Sequence, residues 1–170
     1  MISSETIFLD FSIRKLHQSA SRIVECLSSL TEEQLWSRAN PNSNAVGNLT
    51  LHLAGNMRQW LISGVGGVPD IRQRDLEFAA RTGLSGSELR LILAATVQEA
   101  VATLSALPPA RLTETIQIQG FRLTALEAIY HAVEHFSGHT YQIILLAKAY
   151  RNRPFEFYNY LSDPHESETP

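Results

Sequence analysis

The sequence predicts an all-α fold, a four-helix bundle, and three observations carry that expectation. Four long segments repeat apolar residues at helical spacing. Ser or Thr followed three residues later by Glu or Gln marks helix starts. The prolines and most of the glycines fall between the long segments. At 170 residues with 44% hydrophobic composition, the chain can bury one sizeable core and needs no second domain. The expected organisation is a single helical-bundle domain over residues 1–162, with a loose, polar, proline-bounded tail over residues 163–170.

The first helix is expected from Thr6 to Leu30, with Ile7, Phe8, Phe11, Ile23 and Leu27 in the core. Thr31-Glu-Glu-Gln34 restarts a short helix through a capping box, and Asn40-Pro-Asn-Ser-Asn44 then breaks the chain. A second long helix follows from Gly47 to Ile62, its apolar positions being Leu49, Leu53, Met57, Trp60 and Leu61. The glycine-rich run Ser63-Gly-Val-Gly-Gly-Val-Pro69 should end it and form a rim or lid. Ser85-Gly-Ser-Glu88 caps a third helix carrying Leu89, Leu93, Val97, Val101 and Leu104, which Pro108-Pro109 stops. Thr113-Glu-Thr-Ile-Gln-Ile-Gln119 alternates and reads as strand-like or extended. Thr124-Ala-Leu-Glu127 caps the fourth helix, which should run through Tyr150.

Composition removes several classes of function. The formal net charge is −3 and the arginines are scattered, so the basic footprint of a nucleic-acid binder is missing. Met1-Ile-Ser-Ser-Glu-Thr-Ile-Phe has neither the charged start nor the small-residue cleavage pattern of a secretory signal. The longest aliphatic run, Ile143-Ile-Leu-Leu-Ala147, ends at Lys148, far short of the roughly 20 apolar residues of a spanning helix. The expectation is a soluble protein without membrane or nucleic-acid partners. Cys26 is the single cysteine, which excludes an internal disulfide and suits a reducing cytoplasm. In the helical context Ile23-Val-Glu-Cys-Leu27 it reads as packing.

Chemistry enters with the histidines. His131, His135 and His139 stand four residues apart on the last helix, so neighbouring imidazoles share a face one turn apart. At about 1.5 Å rise per residue, His131 and His139 are too far apart to share one ion. Either His131/His135 or His135/His139 can chelate, and spacing alone does not choose. A third donor must come from elsewhere, and His52 is the obvious one. It shares a polar strip with Asn48, Gly55, Asn56 and Gln59 on an otherwise apolar helix. Inward-pointing ligands from separate helices are how bundles build metal sites. Asn56 and Gln59 are candidates to support the ligands or touch a substrate, with plain helix-surface amides as the alternative. Glu127 and Glu134 have equally open roles, and His17 and His165 read as surface residues.

Two blocks, Gly47-Asn-Leu-Thr-Leu-His52-Leu-Ala-Gly-Asn-Met-Arg-Gln-Trp60 and His131-Ala-Val-Glu-His135-Phe-Ser-Gly-His139-Thr-Tyr-Gln-Ile143, resemble the DinB/YfiT-like superfamily. The order of elements agrees over nearly the whole chain. The resemblance implies a four-helix bundle with up-down-down-up connection, often paired as a homodimer. It also implies a metal triad of one histidine on the second helix and two, four apart, on the last. Those positions fall on His52, His135 and His139, leaving His131 beside the ligands. Where the family commonly has x-Gly-Gln-Ile after its last histidine, this chain has Thr140-Tyr141-Gln142-Ile143, with Gly138 where an aromatic is frequent. Tyr141 is therefore expected to fill the space beside Gly138 and to alter the pocket.

Imidazole donors suit zinc, nickel, copper and iron, with zinc or nickel expected first. Three of them leave a position open on a divalent ion. The resemblance implies a small-molecule substrate and a metal-dependent transferase that uses a low-molecular-weight thiol. A metal-dependent hydrolase is a second expectation, for which Glu134 is the candidate base. A non-catalytic, dimeric stress-response binding module is a third. No individual catalytic residue is assigned.

Overall fold

The computed structural model describes residues 2–157; the expected boundary at residue 162 and His165 lie outside them. Among the described residues the long helices are α1 (Ser4–Ser28), α3 (Val46–Met57), α5 (Gly86–Ala106) and α6 (Ala125–Arg151), with short helices α2 (Glu32–Trp36) and α4 (Arg74–Ala79) between them. Each long helix packs on two neighbours: α1 on α5 and α6, and α3 on the same two. The fold is thus an all-α bundle in which α1 and α3 stand diagonally across a shared core. Leu16 and Ile23 of α1, Leu53 and Met57 of α3, Leu89 and Leu93 of α5, and Phe136 and Ile143 of α6 fill it at full burial.

Local chemistry fixes the helix starts. At Thr31, Ser85 and Thr124 the side-chain oxygen accepts from the backbone N–H three residues on, while Gln34, Glu88 and Glu127 reach back to the cap N–H. Each box satisfies two donors that an open helix end leaves unpaired. α1 begins two residues earlier than expected because the Ser3 hydroxyl accepts from Thr6 N–H.

α3 does not stop at the glycines. It continues as a π-helical stretch from Arg58 to Val65, and the Gly66 N–H reaches back five residues to the Leu61 carbonyl at 2.9 Å. Gly64 lets Ile118 pack closely on this stretch, since a Cβ there would meet the Ile118 side chain at 2.2 Å. The expected connection over residues 63–69 is therefore partly helix, and α4, unanticipated in the sequence, lies beyond it.

The alternating segment is a strand. β1 (Thr115–Ile118) pairs antiparallel with β2 (Phe121–Thr124), Ile118 opposite Phe121. The two-residue turn has positive φ at Gln119 (52°) and Gly120 (84°), the backbone that a tight hairpin demands.

Two expected core positions are on the outside. Ile7 and Phe11 are 57% and 39% exposed, because the inward stripe of α1 runs through Leu9, Ser12, Leu16 and Ser19, and Phe8 only flanks the core. Cys26 is fully buried, and burial pushes its thiol pKa up to about 12, which suits packing and not nucleophilic attack. α5 is long and apolar enough to cross a membrane by length and composition, yet Leu89, Leu93, Val97, Ala100 and Leu104 bury its stripe within the bundle.

Candidate metal centre

α3 and α6 face each other with His52 against His135 and His139, and Trp60, two turns along α3, against His131. Ring centroids are 5.0 Å from His52 to both His135 and His139, and 4.0 Å from Trp60 to His131. As α3 advances from residue 52 to 60, its partners on α6 retreat from 139 to 131, so the helices run antiparallel here. Among the described residues this register brings His52, His135 and His139 together, each offering one ring nitrogen, all within 4.8 Å of one another. His131 stands outside that group, tilted against Trp60 and stacked on the His135 ring at 5.6 Å.

These three histidines could hold a metal ion. Tetrahedral coordination at about 2.0–2.1 Å per imidazole would keep two nitrogens roughly 3.3 Å apart. His52 Nε2 and His135 Nε2 are 2.9 Å apart and the group as a whole spans up to 4.8 Å, so the rings would have to shift to seat an ion. The protonation state also fits. Burial, followed by the neighbouring His139, His52 and His131, lowers the His135 pKa to about 3. Burial likewise lowers that of His139, against the hydrogen bond its Nδ1–H donates to Gln142 Oε1. Both rings are neutral at ordinary pH, with lone pairs available to a cation.

His52 is held from behind by residues that sequence reasoning missed. Its Nδ1 lies 3.0 Å from Glu77 Oε2, and Glu77 is clamped by Arg72, with Nε to Oε1 and Nη2 to Oε2 both at 2.7 Å. Burial raises the Glu77 pKa, but hydrogen bonds from Arg72 and His52 and the charge of Arg72 outweigh it and hold the carboxyl below its usual value. Asn48 fixes α4 in place: its Nδ2 donates to the Glu77 and Ala80 carbonyls at 2.8 and 2.9 Å. Its Oδ1 accepts from Arg38 at 2.6 Å. Phe78, under the Arg74 guanidinium, lies 4.8 Å from the His52 ring. On α6 the His139 Nδ1 has Gln142 Oε1 at 2.8 Å, in an exposed bond.

The expected supporting residues divide. Gln59 touches no histidine in this network. It accepts from Arg72 at 2.8 Å and from Gln119, and donates to Asp70 at 2.6 Å. Gln59 thus ties the hairpin turn and the connection after α3 to the residue that grips Glu77. Asn56 is 4% exposed, one turn from both His52 and Trp60 on the same face, and its Oδ1 has no protein partner. Trp60 Nε1 is also buried and unpaired. The expectation for Tyr141 is overturned: with Gly138 and Glu134 it lines a groove against Phe8 and Phe11 of α1, on the side of α6 away from α3. A Cβ at Gly138 would meet nothing within 4 Å, so no close approach needs this glycine. Glu134, the candidate base, belongs to the same groove.

Solved structures of similar shape agree with this bundle at the level of fold. A conserved protein from Enterococcus faecalis superposes with TM-score 0.70 at 16% identity, covering 82% of this chain and 94% of that one. A DinB-like protein from Bacillus cereus gives 0.66 at 16% identity, covering 81% and 89%. A DinB-like protein from Bacillus subtilis gives 0.67 at 13% identity, covering 86% and 96%. The fold is DinB-like. More specifically, the chain belongs to the family described as "Protein of unknown function (DUF1572)", whose profile matches residues 3–165. No curated protein matches the sequence.

Proposed function

We propose that this protein binds one divalent transition metal, zinc or nickel, through His52, His135 and His139, and uses it as a cytoplasmic, metal-dependent transferase acting with a low-molecular-weight thiol. The observation that carries the reading is the convergence of three imidazole nitrogens from two helices within 4.8 Å. Three donors leave room on the ion for an exogenous ligand, the arrangement of a catalytic and not a closed structural site. A divalent ion bound there would supply Lewis acidity, lowering the pKa of a small thiol and raising its thiolate fraction at neutral pH.

The surrounding residues favour a thiol over water. Hydrolysis needs a base facing the open side of the ion. Glu77 stands behind His52, paired with Arg72, and Glu134 lines the α1 groove. A thiol, more acidic than water to begin with, would ionise on the ion by releasing its proton to solvent and so depends less on such a base. Trp60, His131 and Phe121 form an aromatic flank suited to the apolar part of an electrophilic substrate. Asn56, with its unpaired buried oxygen, supplies an acceptor beside it.

The test is a rate comparison. Metal-loaded protein, chelated protein and His52→Ala are incubated with glutathione, coenzyme A, bacillithiol or mycothiol and a generic electrophile. Turnover should require both ion and thiol. Equal rates in all three samples with every thiol would reject the transferase reading and leave hydrolase or binding module.

The same proposal includes a homodimer. Exposed Phe11, Tyr130 and Tyr141 line the α1/α6 groove, and Ile7 and Leu145 lie one turn further on each helix, an apolar patch of the kind that marks protein contacts. Tyr141→Glu should halve the mass measured by light scattering. A wild-type monomer would reject the dimer.

A further inference from the structure

Metal-binding histidines depend on what holds the other ring nitrogen, and here that partner is contested. His52 Nδ1 lies 3.0 Å from Glu77 Oε2 and also 3.0 Å from Arg72 Nη2. The two neighbours demand opposite tautomers. A carboxylate accepts from an Nδ1–H and leaves Nε2 bare, whereas a guanidinium donates to a bare Nδ1 and puts the proton on Nε2, facing His135.

The geometry decides for the carboxylate. Arg72 grips Glu77 as a fork, Nε on Oε1 and Nη2 on Oε2, both at 2.7 Å, so only its second Nη2 proton is left for the imidazole, at the longer 3.0 Å. A bare Nδ1 would face Glu77 Oε2 at 3.0 Å with no proton between the two lone pairs, whereas Nδ1–H fills that contact. The pair is buried, with side-chain exposures of 3% for Arg72 and 10% for Glu77. Its seat is made by a missing side chain. A Cβ at Gly55 would fall 2.0 Å from Glu77 Oε1, 2.8 Å from its carboxyl carbon and 3.0 Å from Arg72 Nε. Gly55 is therefore the notch that lets an ion pair carried outside α3 reach the back of a histidine on it.

We propose that Glu77, seated by Arg72 in the notch at Gly55, is a positioning residue that holds His52 as the Nδ1–H tautomer with Nε2 bare toward His135. This grip sets how tightly the three-histidine site holds a divalent cation. The inference deepens the metal-binding reading and rests on it for the cation; its statement about the tautomer stands independently.

Two readouts test it on the full chain. Competition against a chelator gives the affinity for zinc and for nickel, and long-range nitrogen–proton NMR of the metal-free protein gives the His52 tautomer. Glu77→Gln should weaken both cations by about 10–100-fold, the usual effect of losing such a partner, and should move the His52 proton partly to Nε2. Gly55→Ala leaves every polar side chain present and should act in the same direction by displacing the carboxylate. If one variant does not fold, judged by circular dichroism, the other and the wild-type spectrum still decide. A wild-type His52 protonated at Nε2, or folded Glu77→Gln and Gly55→Ala proteins whose affinity and tautomer match wild type, would overturn the proposal. A wild-type protein that bound neither cation, yet lost its Nδ1–H form in Glu77→Gln, would reject the metal reading and retain the positioning role of Glu77.

Discussion

His52 and His139 sit on opposite sides of the same cluster and are supported in opposite ways. Behind His52 stands a buried carboxylate, itself fixed by a forked arginine and by Asn48 at the base of α4. Behind His139 stands one exposed amide, Gln142, on the same helix. His135, the third corner of the cluster, has His52 at 2.9 Å and ring contacts to both neighbours on α6. The difference teaches where rigidity comes from. The α3 ligand is held by long-range contacts that exist only in the folded chain, while the α6 ligands are held by the helix that carries them.

The sharpest way to break the comparison is at its centre. His135→Ala should abolish metal binding, a larger loss than the roughly 10–100-fold expected from any supporting residue. Titration followed by metal analysis would show it. Next come the two ends of the histidine row. His139→Gln should lose the ion and His131→Gln should retain it, since His131 is engaged with Trp60 and lies outside the cluster. The reverse pattern would move the site one turn along α6.

A smaller effect concerns acid. The His135 pKa is lowered from 6.5 to about 3, so the unfolded chain takes up a proton before the folded one does. The resulting stability is fully present above the unfolded value, and it is lost progressively as pH falls from 6.5 toward 3. Urea midpoints of the metal-free protein at about pH 7 and about pH 5 should therefore fall further in wild type than in His135→Gln. Equal drops would show that His135 does not carry the effect. The mildest expected change is Gln142→Ala, which removes one exposed hydrogen bond to His139. It should cost about 0.5 kcal/mol, a two- to threefold loss in cation affinity.

What the sequence made legible follows the same division. Contacts within one helix were readable: the capping boxes at Thr31, Ser85 and Thr124, the spacing of His135 and His139, and the polar strip holding His52 all depend on neighbours three or four residues away. Contacts made across the fold were not. Nothing in Arg74-Asp-Leu-Glu77-Phe distinguishes Glu77 from a solvated helix residue, because its role depends on a notch at Gly55 and on Arg72 folding back over α3. Ile7 and Phe11 match a helical stripe as well as Leu9 and Leu16 do, and only the placement of α6 decides which stripe faces inward. The resemblance ties Tyr141 to the pocket, as the residue in place of the family's usual glycine, but two residues along a helix from His139 is about half a turn, which turns it toward α1. The pairing of His52 with His135 and His139, and not with His131, needed either the resemblance or the antiparallel register of α3 and α6.

The central claim is that three histidines from two helices form one cation site. Its most direct measurement is the metal content of untagged protein, purified and loaded with zinc or nickel, determined by mass spectrometry beside a folded His135→Ala control. The account predicts one divalent transition metal per chain in wild type and none in the variant. Full occupancy in His135→Ala, or no bound metal in the loaded wild type, would contradict it.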